Sequence, residues 1–235
     1  QLGVKVACVE GNAALGGTCL NVGCIPSKAL LYASHNYHNS IENFSKMGIE
    51  LDRPSVNWNK MLSYKESMIE DNTKGIAYLF KKNKITLING WANFVDNNTI
   101  NVDGKNFEAD HFVIASGSEA TSLNNIKFDE KVIVSSTGAL ELEKIPEKMI
   151  VVGAGVIGLE MGSIYSRLGT EVTVIEFYDK VLNGMDHDIS KNFKTILKKQ
   201  GFKFHLSCSV STISKEKKGV KVTYKQRDSS NNHEL

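Results

Sequence analysis

The sequence predicts an α/β fold that contains two similar strand units, and two observations support this prediction. The stretches LGVKVACVE at residues 2–10 and LGTEVTVIE at residues 168–176 share a Leu-Gly start, a valine three residues after the glycine, and a final glutamate. A glycine-rich turn at residues 153–158 precedes the second stretch. Both stretches are interpreted as buried parallel strands because apolar residues dominate them, although any two strands can share a few valines by chance.

The second stretch completes a nucleotide-binding pattern. The run MIVV at residues 149–152 predicts a strand, and residues 157–168 predict a helix. Between them lies G-x-G-x-x-G, and Glu176 ends the following strand. A glycine turn in this context is typical of a Rossmann-like dinucleotide-binding domain.

Each residue type in this pattern has a physical role. Gly153 allows the tight turn, Gly155 lets the backbone approach a pyrophosphate, and Gly158 lets the helix pack close to the sheet. The helix N-terminus offers free N–H groups to the phosphates. Glu176 can accept hydrogen bonds from a ribose and would repel a 2′-phosphate, so the pattern favours NAD over NADP.

The first stretch is expected to belong to a second domain of the same type. Glu10 would be its ribose acid, that is, the acidic residue that accepts hydrogen bonds from the ribose hydroxyls of the nucleotide. Its own glycine turn would lie upstream of Gln1. We therefore expect a first domain that lacks its first strand and glycine-rich turn, and a second domain that is incomplete at its C-terminus. Pro146 marks the predicted boundary, which gives domains at residues 1–145 and 146–235.

The region between the two patterns gives a coarser prediction. Residues 111–118, HFVIASGS, are expected to form a buried strand that ends in a small-residue loop where a cofactor could approach, with an ordinary turn as the alternative. The tail RDSSNNHEL, residues 227–235, is expected to be a loop. Helices are predicted at residues 25–44 and 58–82, the second interrupted at Gly75, and strands at residues 84–88, 91–95 and 99–102.

Composition excludes several classes of function. The net charge is +2, and acidic and basic residues are mixed, which gives no reason to expect nucleic-acid binding. No apolar run is long enough to span a membrane, and no signal peptide is apparent. Four cysteines in 235 residues do not form a secreted disulfide framework, so a reducing compartment is expected.

The run GGTCLNVGCIPSK, residues 16–28, holds Cys19 and Cys24, a pair that could bind a metal, pack in the core or carry out redox chemistry. A metal site needs further cysteine or histidine ligands at close spacing, which are absent here. A packing role suits Cys8 and Cys208, whereas glycines around the pair argue against plain core. A redox role fits best, because a flavin can connect a dithiol with the hydride of a nicotinamide.

These residues resemble the active-disulfide motif of the FAD-dependent pyridine nucleotide–disulfide oxidoreductases. Within that family, CLNVGCIPSKALL is similar to the dihydrolipoamide dehydrogenases of mitochondrial and α-proteobacterial type. The resemblance extends over nearly the whole chain, including KGIAYLFKKNKI, IASGSEAT, SSTGALEL, VVGAGVIGLE and DISKNFKTILKKQGFKF.

The resemblance implies a role for each matching residue. Cys19 is the expected interchange thiol, Cys24 the thiolate against the flavin, and Lys28 a neighbour of the flavin ring. Position 116 is often threonine in the family, and the family commonly has G-x-G where this chain has Gly90-Trp91-Ala92. The implied FAD site comprises Glu10, Gly11, Asn12, Gly16, Gly17, Thr18, Cys19, Lys28, Ala92, Ser116, Gly117 and Ser118. The implied NAD site comprises Gly153, Ala154, Gly155, Val156, Ile157, Gly158, Leu159, Glu160, Glu176 and Val210.

The implied activity is oxidation of dihydrolipoamide through a Cys19–Cys24 disulfide and FAD, with hydride passed to NAD⁺. The family's acid–base is a His–Glu pair in a C-terminal dimerisation domain, supplied by the other subunit of a homodimer, and no histidine of this chain precedes a proline as that one does. Implied partners are lipoyl domains of 2-oxo acid dehydrogenase complexes or of the glycine cleavage system. The implied location is the mitochondrial matrix, with the bacterial cytoplasm as the alternative. Mercuric or glutathione reductase and a non-catalytic dinucleotide-binding module remain alternative functions.

Lys28 also predicts an ion pair. It follows Cys24 by one helical turn and should point towards the flavin, where an isolated ammonium is costly to bury. Glu160 follows the glycine turn by two residues. We expect a Lys28–Glu160 pair that spans the FAD and NAD domains in a partly buried site. Its loss would cost about 3 to 5 kcal/mol, and two solvated charges are the alternative.

Overall fold

The computed structural model describes residues 3–123, 126–229 and 231–235. Its contacts divide the chain into two units. The first unit comprises residues 1–26 and 65–119, and the second comprises residues 27–64 and 120–235. The assignment of residues 1–145 and 146–235 to two nucleotide-binding domains stays a prediction.

The first unit contains a short parallel sheet and an antiparallel meander. Its first strand is β1 (Ala7–Glu10), and the short helix α1 (Gly17–Val22) follows it. Two long helices, α2 (Cys24–Glu42) and α3 (Trp58–Lys82), contribute residues to both units, and a 3₁₀ turn at Ser45–Met47 lies between them. β1 pairs in parallel with β2 (Thr86–Asn89). The meander consists of β3 (Ala92–Phe94), β4 (Thr99–Val102) and β5 (Lys105–Glu108).

The second unit contains a parallel and an antiparallel sheet of three strands each. After the short helix α4 (Ser136–Ala139), the chain runs through β6 (Lys148–Val152), α5 (Val156–Arg167), β7 (Glu171–Ile175), α6 (His187–Lys199) and β8 (Lys203–His205). The parallel sheet has the order β6-β7-β8. The antiparallel sheet consists of β9 (Cys208–Glu216), β10 (Gly219–Gln226) and β11 (Asn232–Glu234).

Buried side chains of the second unit hold the strand-turn-helix-strand element in place. Apolar residues of β7, α5 and α6 pack in one cluster that includes Val174 and Leu197. A second cluster joins α2, α3 and α5 through Leu30, Trp58 and Tyr165, and the Trp58 and Tyr165 rings are 5.7 Å apart. The Tyr165 hydroxyl donates to the Ala139 carbonyl. Complete burial of one such side chain is worth about 1.5 to 3 kcal/mol.

Several predicted elements are confirmed, and four differ in detail. The strand expected at residues 2–10 is regular only at residues 7–10, and Val4 and Val6 are exposed; Leu2 lies outside the described residues. Helix α3 continues through Gly75 without a break. Part of the expected C-terminal loop pairs with β10 as β11, although Ser230 lies outside the described residues.

The largest difference concerns residues 111–118, which form no regular strand in the described structure. Val113 is 91 % exposed and Ile114 is 77 % exposed, so the expectation of a buried strand is wrong. Within the described part of the chain, this segment has no neighbouring strand, so no ladder of hydrogen bonds fixes it.

Candidate functional site

The two cysteines of the GGTCLNVGCIPSK run lie on either side of a single break between helices. Helix α1 ends at Val22, and α2 begins at Cys24, so Gly23 alone separates them. A Cβ at Gly23 would lie 2.9 Å from the Thr18 carbonyl oxygen and 3.1 Å from the Cys19 Cα. Glycine therefore lets the chain pass close to Cys19.

This close approach brings the thiols together. The Cα atoms of Cys19 and Cys24 are 4.8 Å apart, within the range of disulfides, and the two residues form a disulfide bond. Both residues are exposed. The pair is thus accessible from solvent.

The remaining cysteines lack these properties. Burial, with a smaller contribution from the Glu10 carboxylate, raises the pKa of the Cys8 thiol. Burial also raises the pKa of the Cys208 thiol. Because the thiolate is the reactive form, both residues have the character of inert thiols at neutral pH.

The first unit brings the ribose acid and the predicted small-residue loop to defined positions. Glu10 ends β1, and its carboxylate accepts hydrogen bonds from the Asn12 backbone N–H at 2.9 Å and from the Asn12 side-chain amide at 3.1 Å. The Thr18 hydroxyl donates to the Ser118 carbonyl at 2.9 Å. This bond joins the start of α1 to the segment at residues 116–118.

Ala92 lies at the beginning of β3, close in the chain to the end of β2. Because β1 and β2 are parallel, with Glu10 opposite Asn89, the residues that follow β2 begin beside Glu10. The backbone N–H of Gly90 donates to the Glu10 carbonyl at 2.9 Å. The structure therefore places the Gly90-Trp91-Ala92 turn next to the predicted ribose acid.

The glycine turn of the second unit connects β6 to α5. Gly153 has φ of +102°, which favours glycine, and among the described residues no atom would lie within 4 Å of a Cβ at Gly153 or Gly155. A Cβ at Gly158 would lie 2.5 Å from the Gly153 carbonyl oxygen. The predicted close packing at Gly158 is confirmed, and binding of a pyrophosphate at Gly155 stays a prediction.

Glu176 is nearly buried and already bonded to this turn. Its carboxylate accepts from the Ala154 N–H at 2.5 Å and from the Tyr178 N–H at 2.8 Å, and the residue is 8 % exposed. Val210 lies in β9 and packs against the cluster that contains Ile175. Of the four apolar residues at the glycine turn, Ala154 and Leu159 are buried. Val156 and Ile157 are exposed and present their side chains at the surface.

The predicted Lys28–Glu160 ion pair is confirmed, with 2.6 Å between the ammonium nitrogen and a carboxylate oxygen. Lys28 lies in α2, Glu160 lies in α5, and both belong to the second unit. The expected partial burial applies to Glu160, whose side chain is 24 % exposed, but is wrong for Lys28, whose side chain is 60 % exposed. An exposed pair contributes about 0 to 1 kcal/mol, well below the predicted cost of its loss.

Sequence reasoning did not find the contact between Trp91 and Gly11. A Cβ at Gly11 would lie 2.6 Å from two indole carbons of Trp91. The replacement of the usual G-x-G by Gly90-Trp91-Ala92 was the only signal.

Among the described residues, no group of three histidine, cysteine or carboxylate side chains could hold a metal ion, and no helix is long and apolar enough to cross a bilayer.

The chain is similar to curated proteins over nearly its whole length. A curated relative, dihydrolipoyl dehydrogenase 1, mitochondrial, of Arabidopsis thaliana, is 48 % identical over 228 residues, which cover 95 % of this chain and 45 % of the relative. A leghemoglobin reductase of Vigna unguiculata is also 48 % identical, with 95 % and 44 % covered. The chain therefore spans about half the length of these relatives.

A solved structure agrees with the sequence matches. The HOCl-induced flavoprotein disulfide reductase RclA from Escherichia coli superposes with a TM-score of 0.76 at 26 % identity, over 99 % of this chain and 49 % of that one. The family model for pyridine nucleotide-disulphide oxidoreductases matches residues 1–232. With its disulfide, its two glutamates at strand ends and its glycine turn, the chain belongs to the pyridine nucleotide-disulphide oxidoreductase family.

Proposed function

We propose that the protein with this chain is an NAD-dependent dihydrolipoyl dehydrogenase. The observation that carries the proposal is the exposed Cys19–Cys24 disulfide, which lies in the same unit as a nucleotide-type strand end at Glu10. The net reaction converts dihydrolipoamide and NAD⁺ into lipoamide, NADH and a proton. FAD, when bound, supplies the two-electron connection between a dithiol and a hydride acceptor.

The residues of the first unit fit FAD. Glu10 presents a carboxylate at the end of a parallel strand, where a ribose hydroxyl can donate to it. Gly17 has φ of +61°, and a Cβ there would meet nothing within 4 Å. At Gly117, with φ of +77°, the Thr18 hydroxyl is the one neighbour within that range among the described residues, at 3.5 Å. The pyrophosphate linkage of the cofactor can therefore approach the protein main chain at both glycines.

The residues of the second unit fit NAD. The open turn at Gly153 and Gly155 leaves space for a pyrophosphate at the start of α5. The Glu176 carboxylate favours a ribose with free hydroxyls and repels a 2′-phosphate. Val210 would belong to the same NAD site, as the family resemblance implies.

The cysteines divide the chemistry between them. The thiolate of dihydrolipoamide attacks the Cys19 sulfur, which forms a mixed disulfide and releases the Cys24 thiolate. The second thiol of the substrate then attacks the substrate sulfur that is bonded to Cys19. The two substrate sulfurs form the disulfide of lipoamide, and Cys19 is released as a thiol. Two electrons are thereby stored on the cysteine pair. We assign Lys28 and Glu160 to the catalytic machinery on the family resemblance.

The wider assignments rest on the same relatives. We propose residues 1–145 as the FAD domain and 146–235 as the NAD domain of a homodimer, in which the partner supplies a His–Glu acid–base pair. The substrate would be a lipoyl group carried by a 2-oxo acid dehydrogenase complex or by the glycine cleavage system. The name of the Arabidopsis thaliana relative supports a location in the mitochondrial matrix.

Steady-state assays of the full protein test the proposal. Dihydrolipoamide should reduce NAD⁺ rapidly, whereas glutathione disulfide and mercuric ion should support oxidation of neither NADH nor NADPH. Cys19→Ser should abolish turnover, and Cys208→Ala, which changes a buried thiol outside the pair, should preserve it. Faster turnover with glutathione disulfide or mercuric ion would overturn the substrate assignment.

A further inference from the structure

Trp91 occupies a defined position beside the predicted FAD ribose acid. It follows Gly90, whose N–H donates to the Glu10 carbonyl, and it precedes β3. Gly90 has φ of +137°, and a Cβ there would lie 2.7 Å from the Val102 side chain. This packed glycine fixes the turn that carries the indole.

One face of the indole lies on the backbone of Gly11. The two carbons shared by the indole rings would both be 2.6 Å from a Cβ at that position. Any side chain larger than hydrogen would displace the ring. Gly11 follows Glu10 directly, so the contact places the indole next to the carboxylate.

The rest of the indole is open. Trp91 is 67 % exposed, although it is a large aromatic residue held in a packed turn. A nucleotide base can stack on an exposed aromatic ring because every base presents a π-face. Removal of such a ring lowers the affinity for the base. A ring that is fixed before binding loses little freedom when the ligand arrives.

We propose that Trp91 is a binding residue that stacks on the adenine of the dinucleotide whose ribose Glu10 holds. This inference rests on the proposed function, which places FAD in the first unit. Trp91 would strengthen cofactor retention and would take no part in the redox chemistry.

The sequence contains two tryptophans, which makes the proposal directly measurable. Trp58 is 8 % exposed, and its indole N–H donates to the Leu142 carbonyl at 2.7 Å. ADP carries the adenine and ribose without a flavin. A change in tryptophan emission on addition of ADP therefore reports stacking and not energy transfer to the isoalloxazine.

The experiment uses full-length protein from which flavin has been removed. ADP should quench emission in the wild type and in Trp58→Phe, and Trp91→Phe should lose this response. Trp91→Leu should raise the Kd for both ADP and FAD by at least about fivefold, with Trp91→Phe closer to the wild type. Glu176→Gln, which alters the other nucleotide site, should retain the quenching.

Three outcomes decide the matter. An unchanged Kd in Trp91→Leu, with its circular dichroism equal to that of the wild type, overturns the proposal. So does ADP that competes with FAD but leaves the emission of Trp58→Phe unaltered. A protein that shows ADP quenching yet takes up no flavin, as followed by flavin absorbance, supports the stacking and contradicts FAD as the cofactor.

Discussion

Cys19 and Cys24 are chemically equivalent residues that the fold places on different elements. Cys19 lies within α1, and Cys24 is the first residue of α2. The family resemblance assigns substrate exchange to the first and the flavin side to the second. Separate substitutions can therefore distinguish the two roles.

We expect Cys24→Ser to remove the long-wavelength absorbance of the two-electron-reduced full-length enzyme, because only the thiolate against the flavin can donate charge into the ring. Cys19→Ser should stop lipoamide turnover and keep that absorbance. Visible spectra recorded before and during anaerobic titration with dithionite measure both, because in Cys19→Ser the Cys24 thiolate would face oxidised flavin before any electrons are added. If the two variants exchanged phenotypes, the assignment of the cysteines would be incorrect.

Exposure sets the energy of the Lys28–Glu160 pair. A double-mutant cycle of Lys28→Ala and Glu160→Ala should give a coupling energy of about 0 to 1 kcal/mol, because water screens the pair. Urea unfolding of the four proteins measures it. The exposed pair of Lys74 and Glu70, one helical turn apart, provides a matched control. A coupling above about 3 kcal/mol would restore the buried-pair hypothesis.

The sequence was sufficient to predict this contact but not its environment. The helical position of Lys28 after Cys24 and the position of Glu160 after the glycine turn depend on local spacing alone. The exposed fraction depends on which surfaces surround both helices. The contact of Trp91 with Gly11 was missed for the same reason, since their meeting depends on how β1 and β2 pair.

The turn between β6 and α5 shows how two glycines of one element serve different purposes. Gly158 faces the protein, where a Cβ would overlap the Gly153 carbonyl oxygen and lie 2.9 Å from the Val151 side chain. Gly155 has φ of −76° and faces open space, so alanine fits there without strain. Packing and ligand access can thus be separated by mutation.

Gly158→Ala should lower the free energy of unfolding by about 1 to 3 kcal/mol, the usual cost of overpacking. Gly155→Ala should leave stability nearly unchanged and weaken NADH binding, because its methyl group would lie where the pyrophosphate approaches. Urea unfolding and NADH fluorescence titration measure the two effects. Equal stability of the two variants would contradict the packing role of Gly158.

The strand predicted at residues 99–102 forms between two partner strands, whereas the one predicted at residues 111–118 does not form. β4 matches the expected residues 99–102, and it pairs on both sides, with β3 and β5. Residues 111–118 have an equally apolar sequence but no partner among the described residues. Apolar patterning identifies a segment that can form a strand, whereas pairing determines whether it does.

At the scale of the whole second unit, one surface carboxylate connects distant parts of the chain. Asp129 pairs with Lys215 of β9, and one oxygen also accepts from the backbone N–H groups of Lys131, Val132 and Ile133. The hydrogen bond from Lys215 and then those from the backbone hold the pKa of Asp129 well below its ordinary value. The charged form is therefore the one that the fold favours.

This pKa shift predicts an acid dependence of stability. Because the folded-state pKa lies below the unfolded value of about 3.9, the contribution is complete above that pH and is lost as the pH falls through the folded-state pKa. Asp129→Asn should therefore weaken the loss of stability below about pH 4. Urea midpoints between neutral and strongly acidic pH measure this, with Asp228→Asn, a carboxylate without an ion pair in the described chain, as control.

The two hydrogen bonds of the Glu176 carboxylate have a consequence for engineering. The side chain that we propose selects the nucleotide also holds the turn that we propose receives it, through the N–H of Ala154. An exchange for a small or basic residue, made to admit NADPH, would leave that buried N–H without an acceptor. Leaving a buried donor unsatisfied costs about 1 to 3 kcal/mol. A successful change of coenzyme preference therefore requires a second substitution that supplies a new acceptor to the turn, and libraries that vary position 176 alone should yield proteins with poor binding of both nucleotides.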